Sequence, residues 1–438
     1  MLYRLIVQNF RSFRDRTELS MIPDDNSIHV ANKDGKYPIL RDVAIYGANA
    51  SGKSNIIKTL DFLQEAVTDS SVIPLAKNQA FKLSEDTIND PSLFVVELWA
   101  NDTLYQFGLV LHFKTCSILK EWLNYYDDEA RGWKQVYSRE MEENTTTTAT
   151  TFCVSEDEPD YARFDIYRQD MVNLPQRLVL SEIASKNLTI QGCAMHIKTV
   201  YEWFKDLIVI FPHTNYNLIG ALVEDMDGVN RLYRDYFHKF DIDIEEIKLK
   251  PVSLDAVTLP EKTLANIRHD LQTDNKNSLA MLHGSKDFVA QLDSNGELQL
   301  SEVKFVHKLN DYTAEFEISE ESDGTRRLFD LIPMVGYLMN SKKVILIDEI
   351  DRSLHCLLTR RMLKMILEES EETCNQIILS THDIMLMDLD ILGRREIWFV
   401  DKKNKVSNLY PLDMYKFEND LDISNNYLLG RFKAIPNC

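Results

Sequence analysis

One stretch constrains this chain more than any other: Gly47-Ala48-Asn49-Ala50-Ser51-Gly52-Lys53-Ser54 matches the G-x-x-x-x-G-K-[ST] pattern in full. The apolar run Val43 to Tyr46 before it reads as a strand. Asn55 to Val67 after it carries apolar residues at 56, 57, 60, 63 and 67, the spacing of one helix face. In that context the glycines let successive backbone N–H groups turn inward, and the helix N-terminus adds partial positive charge, so the loop suits the phosphates of a nucleotide. Gly47, Ala48, Asn49, Ala50, Ser51 and Gly52 are the expected cradle, Lys53 pairs with the β- and γ-phosphates, and Ser54 ligates Mg²⁺. Such a loop requires a parallel sheet with the ligand at the carboxyl ends of its strands, so the fold class is α/β.

At 438 residues the chain exceeds one ordinary core, and two or three folded regions are expected around this centre. Hydrophobic content of 44% with 27% charged residues is that of a globular protein. A net charge of −20 argues against a broad surface that coats nucleic acid, and leaves binding through a local patch undecided. The six cysteines form no C-x-x-C pair, so neither a zinc site nor a disulfide framework is suggested and reduced thiols are the expectation. The first residues are charged too early for a signal peptide, and no apolar run approaches the roughly 18 residues that span a bilayer. A soluble, cytoplasmic chain with no membrane partner is expected.

Residues 2 to 10 and Thr17 to Ile22 read as strands, and Ile39 to Tyr46 as the strand entering the loop. Beyond the helix, Ser92 to Trp99, Leu104 to Phe113 and Ile118 to Tyr126 are rich in aromatic and β-branched residues and predict an antiparallel meander. Glutamates, aspartates and threonines crowd residues 140 to 160, which predicts an exposed loop. From about 171 to 300 the three- and four-residue spacing predicts mostly helix, as at Ile197, Val200, Tyr201 and Phe204 and again over Leu218 to Phe240. Asp225-x-Asp227 and Asp241-x-Asp243 lack a third ligand and read as solvated carboxylates. After a strand at 312 to 318, strand and helix alternate to the end. The expected division is 1–170, an N-terminal half with the loop and an antiparallel β subdomain; 171–310, a mostly helical insert; and 311–438, a C-terminal half.

Val344-Ile345-Leu346-Ile347-Asp348-Glu349 is a buried strand that ends in two carboxylates. At a strand end in a parallel sheet, Asp348 is placed to hold Mg²⁺ and Glu349 to orient and deprotonate an attacking water. Ser380-Thr381-His382-Asp383 follows the next apolar strand, Gln376 to Leu379, so that His382 can reach the γ-phosphate or that water. Ser322-Asp323-Gly324-Thr325 opens a helix, where Ser322 can cap and Gly324 can let backbone amides approach an anion.

Together these segments resemble the head of the ABC/SMC/RecF superfamily. The opening Asn9-Phe10-Arg11-Ser12-Phe13 is similar to the strand end with which SMC-like and RecF-like heads begin. Compact chains of this design resemble the AAA-type ATPase subunits of abortive-infection and other bacteriophage-defence systems, relatives of the overcoming-lysogenisation-defect nucleases. The resemblance covers roughly 1–126 and 312–410. It implies an ABC/SMC-head-like P-loop ATPase with a mixed sheet, an antiparallel β subdomain and a helical insert, using ATP and Mg²⁺. By the same resemblance Ser322 and Gly324 bind the γ-phosphate held by a second subunit, Glu349 and His382 are catalytic, Ser54 and Asp348 hold the metal, Asp351 crosses the dimer interface, and Arg11 lies near the nucleotide.

The pattern departs from transporter ATPases, since the signature reads Ser-Asp-Gly-Thr and lies far downstream of Ser54. It departs from the nuclease relatives too, because Asp388-x-Asp390 lacks a Toprim fold's upstream glutamate strand. The expectation is therefore an ATP-hydrolysing homodimer, or higher even-numbered oligomer, without its own nuclease. It would act as sensor and regulatory subunit of an anti-phage system, answering a phage-derived trigger and controlling a separate effector, a nuclease or toxin. The alternative is a RecF/SMC-like ATP-gated DNA-binding protein of repair or chromosome maintenance.

Overall fold

A computed structural model describes residues 1–69, 71–141, 148–158, 160–212, 226–254, 257, 260–273, 278–283, 286–293, 295–338, 343–373, 375–415 and 423–435. The chain forms two compact units. The first is Met1–Phe211 with Lys342–Ile350 and Cys374–Cys438, and the second is Pro212–Ser341 with Asp351–Thr373.

The first unit opens with β1 (Leu2–Gln8), β2 (Thr17–Ser20) and a short hairpin of β3 (Val30–Ala31) and β4 (Ile39–Leu40). Next come β5 (Asp42–Tyr46), the loop, α1 (Lys53–Thr68), and the short α2 (Val72–Leu75) and α3 (Glu85–Asn89). The antiparallel strands β6 (Ser92–Ala100), β7 (Thr103–His112), β8 (Ser117–Asp127), β9 (Gly132–Met141) and β10 (Thr148–Phe152) follow. They join β1 and β2 in a seven-stranded sheet ordered β10-β9-β8-β7-β6-β1-β2. The predicted meander is β6 to β8. It extends further than predicted, because Thr148 to Thr151, placed in an exposed loop by composition, are β-branched or small residues that pair with Ser138 to Met141 across β9. Residues 142–147 of that predicted loop lie outside the described residues.

Helices α4 (Tyr161–Asp170), α5 (Val179–Ala184) and α6 (Gly192–Lys205) pack in the same unit. A buried polar network holds the segment from Leu174 into the start of α5. Glu121 of β8 accepts hydrogen bonds from Tyr137 Oη at 2.7 Å and from the Val179 and Leu180 amides at 2.8 and 3.0 Å. Arg139 donates to the carbonyls of Arg177 and Leu174 at 2.6 and 2.9 Å. Residues 171–211, expected in the insert, therefore belong with the N-terminal half.

The second sheet of this unit carries the loop. Its order is β11 (Ile208–Ile210), β17 (Val344–Ile347), β18 (Gln376–Ser380), β5, β19 (Ile397–Lys403) and β20 (Val406–Pro411). Pairing is parallel from β11 to β19 and antiparallel only at the β20 edge. Every residue of β5, β17 and β18 is buried, as strands covered on both faces require. Buried Gln376 joins the two sheets, accepting from the Leu2 amide at 2.6 Å and donating to the Leu2 and Leu40 carbonyls at 2.9 and 2.8 Å. Phe10, Phe62, Phe94 and Phe113 form one aromatic cluster that seats α1 on β1 and β6. The C-terminal helix α11 (Ile423–Leu428) completes the unit.

The second unit contains α7 (Met226–Lys239), α8 (Glu261–Thr273), α9 (Asp323–Leu338) and α10 (Cys356–Thr373). It also contains a five-stranded antiparallel sheet of β12 (Glu246–Val252), β13 (Ser278–His283), β14 (Lys286–Leu292), β15 (Leu298–Leu309) and β16 (Tyr312–Glu317). The mostly helical insert is thus corrected to a mixed unit. Leu298-Gln299-Leu300 and the Lys248-Leu249-Lys250 run alternate with period two, the strand period, and the helical spacing of α7 overshadowed them. The part of the predicted Leu218 to Phe240 helix before Met226, with Asp225, lies outside the described residues. Asp241 and Asp243 are exposed, and no metal-holding cluster of three acids, histidines or cysteines occurs among the described residues.

One charge cluster lies at the start of the loop-bearing strand. Asp42 is 2% exposed, neither carboxylate oxygen has a hydrogen-bond partner among the described residues, and His29 Nδ1 stands 3.7 Å away. Burial pushes Asp42 up to about 7, with Glu396 adding and His29 and Arg41 opposing. Burial lowers His29, but its bond to Glu396 at 3.0 Å and the two carboxylates outweigh that and raise it. Both groups thus hold protons more tightly in the folded than in the unfolded chain. Asp42 loses stability as pH rises from about 4 to 7, and His29 loses it as pH rises through its raised value. Relative to the parent, Asp42→Asn should therefore gain about 2–4 kcal/mol between pH 5 and pH 8 in urea unfolding. A difference that does not change with pH would contradict this.

Candidate nucleotide site

β5 ends at Tyr46, the loop runs from Gly47 to Gly52, and α1 starts at Lys53. Gly52 caps α1 in the left-handed region at φ 117°, and a Cβ there would strike the hydroxyls of Ser12 and Ser407. Ala50 is also left-handed, at φ 59°. Neighbouring strands fix the loop. Ser407 Oγ donates to the Ser51 carbonyl, Lys402 Nζ donates to the Ala50 carbonyl at 3.1 Å, and Asn55 Nδ2 donates to Ser12 Oγ at 2.7 Å.

Ser12 is delivered by the Asn9 to Phe13 turn. Asn9, at φ 54°, donates through Nδ2 to the Thr87 and Asp90 carbonyls at 2.7 and 3.0 Å and accepts from the Phe81 amide at 3.1 Å. Phe10 and Phe13 exchange backbone hydrogen bonds of 2.9 Å. Arg11 lies over the Phe10 ring, 5.4 Å from its centroid, in the field of Asp61 and Glu65 on α1.

Lys53 is buried against the loop. Its Nζ donates to the Gly47 and Ala48 carbonyls at 2.7 and 3.2 Å and lies 3.2 Å from His382 Nδ1. An ammonium can only donate, so Nδ1 accepts and the His382 proton sits on Nε2. The structure thereby brings together Lys53 and His382, which are remote in sequence.

Asp348, 3% exposed, follows β17, and its amide donates to the Ile210 carbonyl at 2.8 Å. Its Oδ1 accepts from Ser380 Oγ at 2.6 Å, and the same Oγ accepts from the Glu349 amide at 2.9 Å. The Ile350 amide donates to the Ser380 carbonyl at 3.1 Å. Ser380 thus fixes both carboxylate-bearing residues. Glu349 takes up a left-handed conformation at φ 49°, a backbone cost that concentrates at functional sites. Ser380 was not among the residues picked from the sequence. Its signal was position, at the end of the strand that leads to His382. Ser54 is the second residue of α1, and its hydroxyl with the Asp348 carboxylate makes an all-oxygen donor set that fits Mg²⁺.

Ser322 and Gly324 lie in the second unit at the head of α9. Ser322 Oγ caps that helix, accepting from the Thr325 amide at 3.1 Å. A Cβ on Gly324 would sit 3.1 Å from the Ser353 carbonyl, tighter than ordinary contact.

No curated protein matches the chain. Solved structures similar to it include two SMC heads. One is an SMC head bound to the C-winged helix domain of ScpA, 13% identical, covering 94% of this chain and 97% of that chain with a TM-score of 0.41. The other is the SMC head domain from Thermotoga maritima, 13% identical, covering 94% and 98% with a TM-score of 0.37. The family model described as "AAA domain, putative AbiEii toxin, Type IV TA system" matches residues 43–144 and 227–388, which take in the phosphate loop, the Asp348-Glu349 pair and His382. More than half of the chain is matched, and the protein belongs to this family of AAA domains.

Proposed function

We propose that the chain binds and hydrolyses ATP. One observation carries the reading: a phosphate loop with its lysine 3.2 Å from His382, in the same unit as an acid pair fixed by Ser380. The Gly47 to Gly52 amides and the α1 N-terminus hold the phosphates, and Lys53 exchanges its loop carbonyls for phosphate oxygens. Ser54 and Asp348 hold Mg²⁺, which neutralises charge on the β- and γ-phosphates when bound. Glu349 orients the attacking water and accepts its proton, while His382 Nε2–H donates to the γ-phosphate. Phosphate release by the purified chain with ATP and Mg²⁺ tests this reading, and its absence under all partner and trigger conditions would defeat it.

The biological reading is a cytoplasmic homodimer that senses phage infection and controls a separate effector, a nuclease or toxin. Copurification with its genomic neighbour, with and without ATP, tests this reading. A replication or recombination neighbour would favour the DNA-clamping alternative. In the dimer, Ser322 and Gly324 of one subunit would complete the ATP site of the other. Ser322→Arg adds bulk and removes the cap hydroxyl, so ATP turnover should fall by about 10²-fold while labelled-ATP binding stays near parental. Parental turnover in that variant would remove the shared site.

A further inference from the structure

A cavity of about 670 Å³ lies in the first unit, lined by residues that include Trp99, Trp203 and Val344, the first residue of β17. The nucleotide loop and Asp348 are at the opposite ends of these strands, about 13 Å away along β17 at ordinary strand rise. The cavity is therefore separate from the ATP site. Its volume is that of small-molecule sites.

The charges around it select the ligand. Lys198 is paired with Glu202 at 3.0 Å, and Lys343 with Asp206 at 2.6 Å, so both cations at the rim are already neutralised. The Met1 nitrogen donates to the Trp99 carbonyl at 2.6 Å. Asp102 remains as the surplus carboxylate, with no ion-pair partner among the described residues. It is held out by a two-residue hairpin loop, Asn101 and Asp102 at φ 48° and 58°, between β6 and β7. Indole faces attract cations through their quadrupole, and the chain's net charge of −20 draws cations and repels anions.

We propose that this cavity is a binding site for a planar organic cation of the guanidinium or amidinium class, enclosed by Trp99 and Trp203 and paired with Asp102. The cation is either a free small molecule or an arginine side chain of a partner. The proposal does not depend on ATP hydrolysis, and it is tested without nucleotide.

Calorimetric titration of the full chain with benzamidinium, benzamide and benzoate isolates the charge on one shape. Benzamidinium should bind, benzamide at least about tenfold more weakly, and benzoate not at all. Asp102→Asn should weaken benzamidinium by about 3- to 10-fold, and Thr199→Trp, which fills the cavity from α6, should abolish binding. Melting temperatures establish that each variant is folded, and Asp102→Asn, at an exposed turn, serves if Thr199→Trp is not. Agmatine and a Gly-Arg-Gly amide separate the sources: binding of agmatine alone assigns a free ligand, and binding of both assigns a protein-borne arginine. No heat with benzamidinium, equal affinity for benzamide, or affinity unchanged in Asp102→Asn would overturn the proposal.

Discussion

Glu349→Gln is expected to slow ATP hydrolysis by about 10²–10⁴-fold, the usual contribution of a general base, while leaving ATP binding near parental. The Glu349 backbone is held by the Ser380 Oγ contact at 2.9 Å and takes the left-handed φ of 49°, and glutamine keeps the size and hydrogen-bonding reach of the side chain while losing its basicity. Lys53, Ser54 and Asp348 are untouched. With ATP bound and not cleaved, the proposed dimer would accumulate in its closed form, read as a doubling of mass by light scattering. Steady-state phosphate release gives the rate. Near-parental hydrolysis would move the base elsewhere, and His382 would be tested next.

Lys53→Ala is expected to weaken ATP binding by about 10–100-fold, from the loss of charge-assisted hydrogen bonds to two phosphates. The geometry adds a second effect. Lys53 Nζ is shared among the Gly47 and Ala48 carbonyls and His382 Nδ1, so its removal takes a donor from three acceptors and loosens the loop itself. Labelled-ATP titration in Mg²⁺ measures the affinity, and circular dichroism establishes that the variant is folded. Parental affinity in a folded Lys53→Ala variant would sink the phosphate-loop assignment.

The strands that position the site were legible in the sequence because they are buried on both faces and read as unbroken apolar runs, as in Val344 to Ile347 and Gln376 to Leu379. The order of the sheet was not legible. That β5 lies between β18 and β19 depends on pairings across most of the chain, which no local pattern encodes. Ser380 was hidden for a related reason: its role is to bond Asp348 and the Glu349 amide, 31 and 32 residues upstream. In the second unit, α7 was legible in part and β16 matches the strand expected at 312 to 318, whereas β12 to β15 were missed because short strands alternating lysine or glutamate with leucine carry little signal beside a helix. Composition misjudged Thr148 to Thr151, where β-branched side chains make a strand as readily as an exposed loop.

The insertion of β5 between β18 and β19 also dictates when this protein can become active as it is made. Asp42 to Tyr46 leave the ribosome early, yet their hydrogen-bonding neighbours, beginning at Gln376, emerge only after most of the chain. At about 5–20 residues per second the loop-bearing strand waits on the order of half a minute with both edges open. Through that interval the nascent chain has no sheet to hold the loop and no Asp348 beside it, and its apolar edges invite wrong pairing or chaperone capture. The phosphate loop thus gains its neighbouring strands only after Gln376 to Lys403 have been made. Chains truncated before Gln376 should be insoluble species without ATP binding rather than partly active ones.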